Sequence, residues 1–285
     1  GLHRLADSGG GFYTVRLDLS PGWIAYKFVI VRSGGAVVWE DHVADRTCRV
    51  TADGATPTPV PFDDLWTVPG PAERLVGADL SHVPQLRGLG AVYGAGGETG
   101  PLLPLLAGAG YRVARLRLWH TPDESWHGLE ATVAFARELD AAGYELMLDL
   151  HYSDTWADPG RQDKPAAWSA STTAALIDSI GAYTQDVLAR FVAQQLPPAY
   201  VQIGNEIDGG MLWDDGRIGH EGSGWDTPGQ WANLTDLLRA AAAAVRQAAP
   251  TARIVVHASR GGSADHCRWF YDGLVAGDVD FDVIG

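Results

Sequence analysis

Tyr200-Val-Gln-Ile-Gly-Asn-Glu206 is the stretch from which the fold is read. It opens as a short apolar run, the mark of a buried strand, and closes on small and polar residues. Five other runs share the form: Leu75–Ser81, Arg112–Trp119, Glu145–His151, Arg253–Ser259 and Phe281–Ile284. Longer amphipathic stretches separate them. Leu176, Ile180, Tyr183, Val187 and Phe191 recur at helical spacing and form one apolar face, as do Leu234, Leu238, Ala241 and Val245. Gly110 and Gly143 fall just past predicted helix ends, where a residue with positive φ is wanted. Strand alternating with helix implies a parallel sheet with right-handed crossovers. The polar residues gather at the C-terminal end of each strand: Asp79, Trp119, His151, Asn205-Glu206 and His257. Functional groups around that whole rim predict an α/β fold of the (β/α)8 TIM barrel type. A doubly wound sheet would concentrate them at one switch point. The first strand is followed by neither a Gly-x-Gly-x-x-Gly turn nor a Walker loop, so nucleotide binding has no support.

Only six strand candidates are present, and the last is followed directly by Gly285. Six parallel strands cannot close a barrel of eight. The expectation is therefore an incomplete catalytic barrel over residues 74–285, truncated after strand six, with strands seven and eight outside this sequence. Such a fragment is expected to be inactive and poorly stable. Residues 1–51 read differently. Phe12–Leu19 alternates apolar and polar residues, and Trp23–Val31, Ala36–Glu40 and Thr47–Thr51 add three more short strands between turns. That is about half of an antiparallel β-sandwich, which needs about 100 residues. Residues 52–73 carry Pro57, Pro59, Pro61, Pro69 and Pro71 and read as a stiff linker.

Composition narrows the function. The 285 residues hold 21 Lys plus Arg against 35 Asp plus Glu, a formal charge of −14. So acidic a surface repels phosphate backbones and anionic membranes, so no nucleic-acid partner is expected. No apolar run reaches the roughly 20 residues of a membrane span, so no membrane insertion is expected either. Cys48 and Cys267 are far apart and outside any metal-ligand spacing. The 11 tryptophans suit stacking on flat apolar ligand faces, and equally suit a core.

Asn205-Glu206 carries the chemistry. An acid on the rim of the fourth strand can protonate a departing glycosidic oxygen, and the Asn beside it can bond a sugar 2-hydroxyl. Taken without their position, the two residues serve as well for a helix-capping or Arg-paired Glu. Around them stand Gly77–Ser81, Val113–Trp119, His151-Tyr-Ser-Asp-Thr-Trp-Ala-Asp-Pro159, Gln162, Lys164–Trp168, Tyr183-Thr184, Gln202–Ile207, Gly210–Trp213 and Phe281–Gly285. In that order these segments resemble the endo-β-1,4-galactanases, the arabinogalactan endo-galactosidases of glycoside hydrolase family 53, over the whole of 75–285.

The resemblance implies a retaining hydrolase that cuts internal β-1,4-galactosidic bonds of galactan and type I arabinogalactan, the side chains of pectin. Glu206 would be the acid/base. The nucleophile would be a Glu on strand seven, absent from this chain. Arg115 matches a family Arg that keeps the nucleophile ionised; a salt bridge inside the barrel is the other reading. Arg117, two residues on, shares its orientation. Substrate binding is expected of Asn205, Arg115, His151, Asp154, Trp156, Trp168, Trp213 and His257. Several of these keep an alternative: a satisfied core histidine for His151 and His257, loop packing for Trp156 and Trp168, a loop pin for Trp213, a turn cap for Asp154. The chain departs from the family at Gln85, often Glu there, and in the Asp214–Arg217 loop, which lacks the usual Pro. No organic cofactor is implied; some family members bind calcium in late-barrel loops, which lie outside this sequence. The partner would be galactan or arabinogalactan polysaccharide, the enzyme a secreted monomer. The rival readings are a retaining barrel acting on mannan, xylan or glucan, and a non-catalytic glycan-binding barrel. Residues 1–51 resemble, more faintly, early-set or starch-binding-type modules, in which Trp23 and Trp39 would bind glycan or simply pack a spacer.

Overall fold

A parallel strand packed under helices needs apolar side chains on the face it turns to them, and the central runs supply one. Leu116, Leu118, Leu148, Leu150, Val201, Ile203, Ile254 and Val256 are all at most 2% exposed. Each such side chain contributes about 1.5–3 kcal/mol on burial. They belong to β2 (Val113–Leu118), β3 (Glu145–Leu150), β4 (Tyr200–Ile203) and β5 (Arg253–Val256). Flanking these are β1 (Gly77–Asp79) and β6 (Val283–Ile284). The six form one parallel sheet in the order β6-β5-β4-β3-β2-β1. Adjacent strands are consecutive in the chain, as in a (β/α)8 barrel, of which this is an incomplete turn.

The computed structural model describes residues 75–95 and 97–285, together with residues 5–9, 12–14, 17–18, 22–26, 29–31, 37–39 and 46–50. The chain divides into two compact units, Gly1–Arg74 and Leu75–Gly285. In the first, Ala6–Gly9 pairs antiparallel with Phe12–Thr14, Gly22–Tyr26 with Arg46–Val50, and Val29–Val31 with Val37–Trp39. The strand expected over Trp23–Val31 is thus two strands with different partners, and Ala6–Gly9 is one the sequence reading did not draw. The connector expected over 52–73 lies outside the described residues.

In the second unit, helices cover the sheet: α1 (Val83–Gly88), α2 (Leu102–Gly108), α3 (Leu129–Ala141), α4 (Thr173–Ala193), α5 (Pro228–Ala248) and α6 (Ala264–Ala276). The expected apolar faces are the ones buried. Leu176, Ile180, Val187 and Phe191 of α4, and Leu234, Leu238, Ala241 and Val245 of α5, are at most 1% exposed. Hydroxyl caps start three helices: Thr172 accepts from the Ala175 N–H, Thr227 from Gln230 and Ser263 from His266. Gly110 and Gly143 have φ of 94° and 80°, as their places past α2 and α3 require.

Candidate active site

Because side chains alternate along a strand, Arg115 and Arg117 of β2 share a face, and Asp149 of β3 lies in register between Arg117 and Gln202 of β4. This brings a charged network to the C-terminal side of the sheet. Arg115 Nη1 donates to Asp79 Oδ2 at 2.6 Å, and Nη2 meets Asp149 Oδ2 and Asn205 Oδ1, each at 2.7 Å. Arg115 Nε donates to Gln202 Oε1 at 3.1 Å. Asp149 is fully buried, and its other oxygen accepts from Gln202 Nε2 at 2.6 Å. Burial alone would raise the Asp79 carboxyl, but Ser81 and the Arg115 guanidinium outweigh it and hold the group below the usual carboxylate range. His151 is also buried. Its Nε2 lies 2.9 Å from Asp149 Oδ2, while its Nδ1 accepts from the Trp119 indole and the Ala157 N–H, both at 3.2 Å. The proton therefore sits on Nε2, and both ring nitrogens are engaged inside the protein.

Glu206 follows directly. Gly204, at φ 95°, makes the turn out of β4; a Cβ there would stand 2.7 Å from Ile207 Cγ2. Asn205 is buried, its amide donating to the Ala157 carbonyl at 2.7 Å and its oxygen facing His257 Nδ1 at 3.0 Å. Glu206 itself is left-handed, φ 51° and ψ 51°, a conformation costing a non-glycine residue about 1–2 kcal/mol. Gln162 Nε2 holds the carbonyls on either side, Asn205 at 2.9 Å and Glu206 at 3.3 Å. The Glu206 carboxyl makes no hydrogen bond or ion pair among the described residues. Burial first, then the charges of Asp158 and Asp208, push it above the ordinary carboxyl value against the pull of Arg115. A half-buried carboxylic acid, raised in pKa and unpaired, is suited to give up a proton.

The aromatic wall lies beside this network. Trp156 is 44% exposed, and the guanidinium of Arg117 lies 3.8 Å from its ring centroid and 5.0 Å from that of Trp119. A cation on one face of an indole fixes the ring and leaves the other face for a ligand. Arg117 is buried, and its Nη2 stands 3.2 Å from His82 Nε2 and 3.1 Å from His127 Nε2. The His127 ring must be neutral to accept there. Burial, with Arg117 and His82, pulls His127 from its ordinary 6.5 down to about 4. Between these values the unfolded chain takes up a proton that the folded one refuses. Stability is therefore expected to fall as pH drops from 6.5 toward about 4. His127→Gln should flatten that dependence in melts across the window; an unchanged slope would contradict the assignment.

The family model for glycosyl hydrolase family 53 matches residues 75–285. The chain belongs to glycosyl hydrolase family 53. A probable arabinogalactan endo-β-1,4-galactanase A of Aspergillus fumigatus is 33% identical over 217 residues, 73% of this chain and 58% of that one. An uncharacterised protein of Niallia circulans is 38% identical over 212 residues, 74% of this chain and 57% of its own. Among solved structures, one from a study of two fungal β-1,4-galactanases superposes with a TM-score of 0.67 at 33% identity, covering 74% of this chain and 63% of that one. The family 53 catalytic domain of Ignisphaera aggregans gives 0.68 at 34% identity, with 79% and 62% covered. The chain thus spans under three-fifths of the length of the two curated relatives.

The remaining candidates divide within the family 53 barrel. Glu206, Asn205, Arg115, His151 and His257 come together at the rim, and His257 is held below its ordinary value by burial and by Arg115. Trp168 does not fit the role expected of it. It is 7% exposed, packed edge-on against His120 and Tyr183. A short 3-10 turn, Ala166–Trp168, folds it inward to the core, so it offers no face to a sugar. Asp154 clasps its loop, accepting from the Thr121 and Ala166 N–H groups at 2.8 Å each. Trp213 is partly buried, its indole donating to the Gly209 carbonyl at 2.9 Å under the Arg217 guanidinium. Asp149, Gln202 and Gln162 are not among the site residues expected from the sequence, and Asp79 is there only as a rim residue without a role. Asp79, Asp149 and Gln202 stand inside the quoted strands at alternating positions, which is the signal that could have found them.

Proposed function

We propose that the family 53 barrel, in the full-length gene product, hydrolyses internal β-1,4-galactosidic bonds of galactan and type I arabinogalactan with retention of configuration. The observation that carries the reading is the raised carboxyl of Glu206, unpaired among the described residues, beside Asn205 at the end of β4. Glu206 protonates the leaving oxygen while a second carboxylate attacks the anomeric carbon. It then takes a proton from the water that releases the sugar. That second group belongs about 5–5.5 Å away in a retaining enzyme. Asp149 is unsuited to it, being fully buried and committed to Arg115, His151 and Gln202. The nucleophile is read as the family's strand-seven Glu, beyond residue 285. Asn205 keeps one amide hydrogen for a sugar hydroxyl after bonding Ala157.

Trp156 is the proposed stacking platform. Trp156→Ala is expected to raise KM for galactan about tenfold with kcat nearly unchanged. Trp168→Ala should instead lower the melting temperature and leave KM alone. If Trp168→Ala raises KM without a loss of stability, the two roles are misassigned. The enzyme is read as a secreted monomer; no helix among the described residues is long and apolar enough to cross a membrane. Residues 1–51 are read as an accessory sandwich module joined by the Pro-rich 52–73 segment. Digestion of purified polymers by the full-length gene product tests the whole reading. Galactan should fall to short oligosaccharides while mannan, xylan and glucan stay intact; cleavage of one of those instead would overturn the substrate.

A further inference from the structure

The turn that carries Glu206 is fastened by a side chain to which the proposed chemistry gives no part. Asp208 is 4% exposed and lies in the 3-10 turn Ile207–Gly209. Its Oδ1 accepts from the Ser259 N–H at 2.8 Å. Its Oδ2 accepts from the Ser259 hydroxyl at 3.0 Å and faces His266 Nε2 at 2.7 Å. His266, on α6, is buried, and its Nδ1 faces His220 Nε2 at 2.9 Å. The His220 ring is exposed and lies 4.0 Å from the ring of Trp269. Burial would raise the Asp208 carboxyl, but the Ser259 N–H, His266 and the Ser259 hydroxyl together hold it below the ordinary range. An ionised carboxylate only accepts, so His266 carries its proton on Nε2 and, when neutral, accepts from His220 through Nδ1.

Ser259 stands just past the end of β5, so Asp208 bolts the turn after β4 to the next strand. A backbone bond runs the same way, from the Ile207 N–H to the His257 carbonyl at 3.0 Å. On the other side Gln162 grips the Asn205 and Glu206 carbonyls. Glu206 sits between these fastenings in its left-handed conformation. A strained residue of this kind persists only where its surroundings over-determine it.

We infer that Asp208, clamped by Ser259 and backed by the His266–His220 pair, is a positioning residue that fixes the direction in which Glu206 presents its carboxyl. The inference rests on the reading of Glu206 as the proton donor. The other ionisable groups near Glu206 are Asp158 from the loop after β3, Arg115 from β2 and His151 just past β3. Of these only Arg115 reaches the turn, through the Asn205 side chain at 2.7 Å, and it makes no bond to the Ile207–Gly209 segment.

The test compares Glu206→Gln, Asp208→Asn, Asp208→Ala and Ser259→Ala with the wild type in the full-length gene product, reading kcat and KM on galactan across pH. Asp208→Ala should lose about 10²-fold in kcat with KM within a factor of two, the cost of a small misplacement of the reacting group. Asp208→Asn keeps an acceptor for the Ser259 N–H and should recover much of that loss. It removes a negative charge near Glu206, so the alkaline limb of kcat/KM should move to lower pH. Ser259→Ala, which cannot prevent folding through a buried charge, should lose an intermediate amount of kcat. Wild-type kcat and an unmoved limb in the folded Asp208 and Ser259 variants, with Glu206→Gln inactive, would overturn the inference alone. So would equal losses in kcat and stability with the limb unmoved, the mark of a purely structural role. Wild-type turnover by Glu206→Gln would overturn the reading of Glu206 and the inference with it.

Discussion

Glu206→Gln is expected to cut hydrolysis of unactivated galactan by about 10²–10⁴-fold while galactan affinity stays close to that of the wild type. Gln matches Glu in shape but has no proton to give a departing alkoxide, and it cannot take one from water. The substitution should cost little stability, because the carboxyl has no hydrogen bond or ion pair to lose among the described residues. Its neutral amide also avoids the burial and the charges of Asp158 and Asp208 that oppose ionisation at this position. The same forces predict the wild-type pH profile. A raised carboxyl remains protonated above the usual Glu range, so the alkaline limb of kcat/KM should lie correspondingly high and should vanish in the variant. Reducing-sugar release and galactan affinity, measured side by side, check the split between turnover and binding.

The largest loss of stability is expected at Asp149→Ala, about 3–5 kcal/mol, the cost of breaking a buried ion pair from one side. Asp149 is fully buried, and its two oxygens meet Arg115 at 2.7 Å, His151 at 2.9 Å and Gln202 at 2.6 Å. Its loss leaves a cation, an imidazole N–H and an amide pointing at a void. Asp149→Asn keeps an acceptor but loses the charge opposite Arg115, and should fall between the two. Chemical denaturation of the purified chain reads the effect. A loss under about 1 kcal/mol for Asp149→Ala would show that Arg115 finds its partners elsewhere, since exposed pairs contribute no more than that.

Much of this is legible in the sequence. The apolar runs end in polar residues because a parallel strand is buried along its length and opens only at its rim, so Glu145–His151 and Tyr200–Glu206 announced both a strand and a site. The faces of α4 and α5 followed from spacing alone. Tertiary partnership was not legible in the same way. Trp168 and Trp156 occur on one loop with similar surroundings in sequence, yet one packs on Tyr183 and the other lies over Arg117 in solvent. Which indole a loop turns inward depends on what waits beneath it. Arg115 left two readings open because a guanidinium on a barrel strand can reach several neighbours. The structure gives it Asp79, Asp149, Asn205 and Gln202 together. The Asp208–Ser259–His266–His220 chain joins three segments separated by tens of residues, and no local pattern marks it.

Anion rescue addresses the proton donor most directly. In the full-length gene product, Glu206→Ala would be assayed on an aryl β-galactoside whose leaving group needs no protonation, with and without azide. The account predicts that the first displacement proceeds, that water attacks the glycosyl-enzyme slowly without its base, and that azide restores turnover by forming the β-galactosyl azide. Wild-type hydrolysis of galactan by this variant, or no response to azide with the aryl substrate still turned over at the wild-type rate, would contradict it.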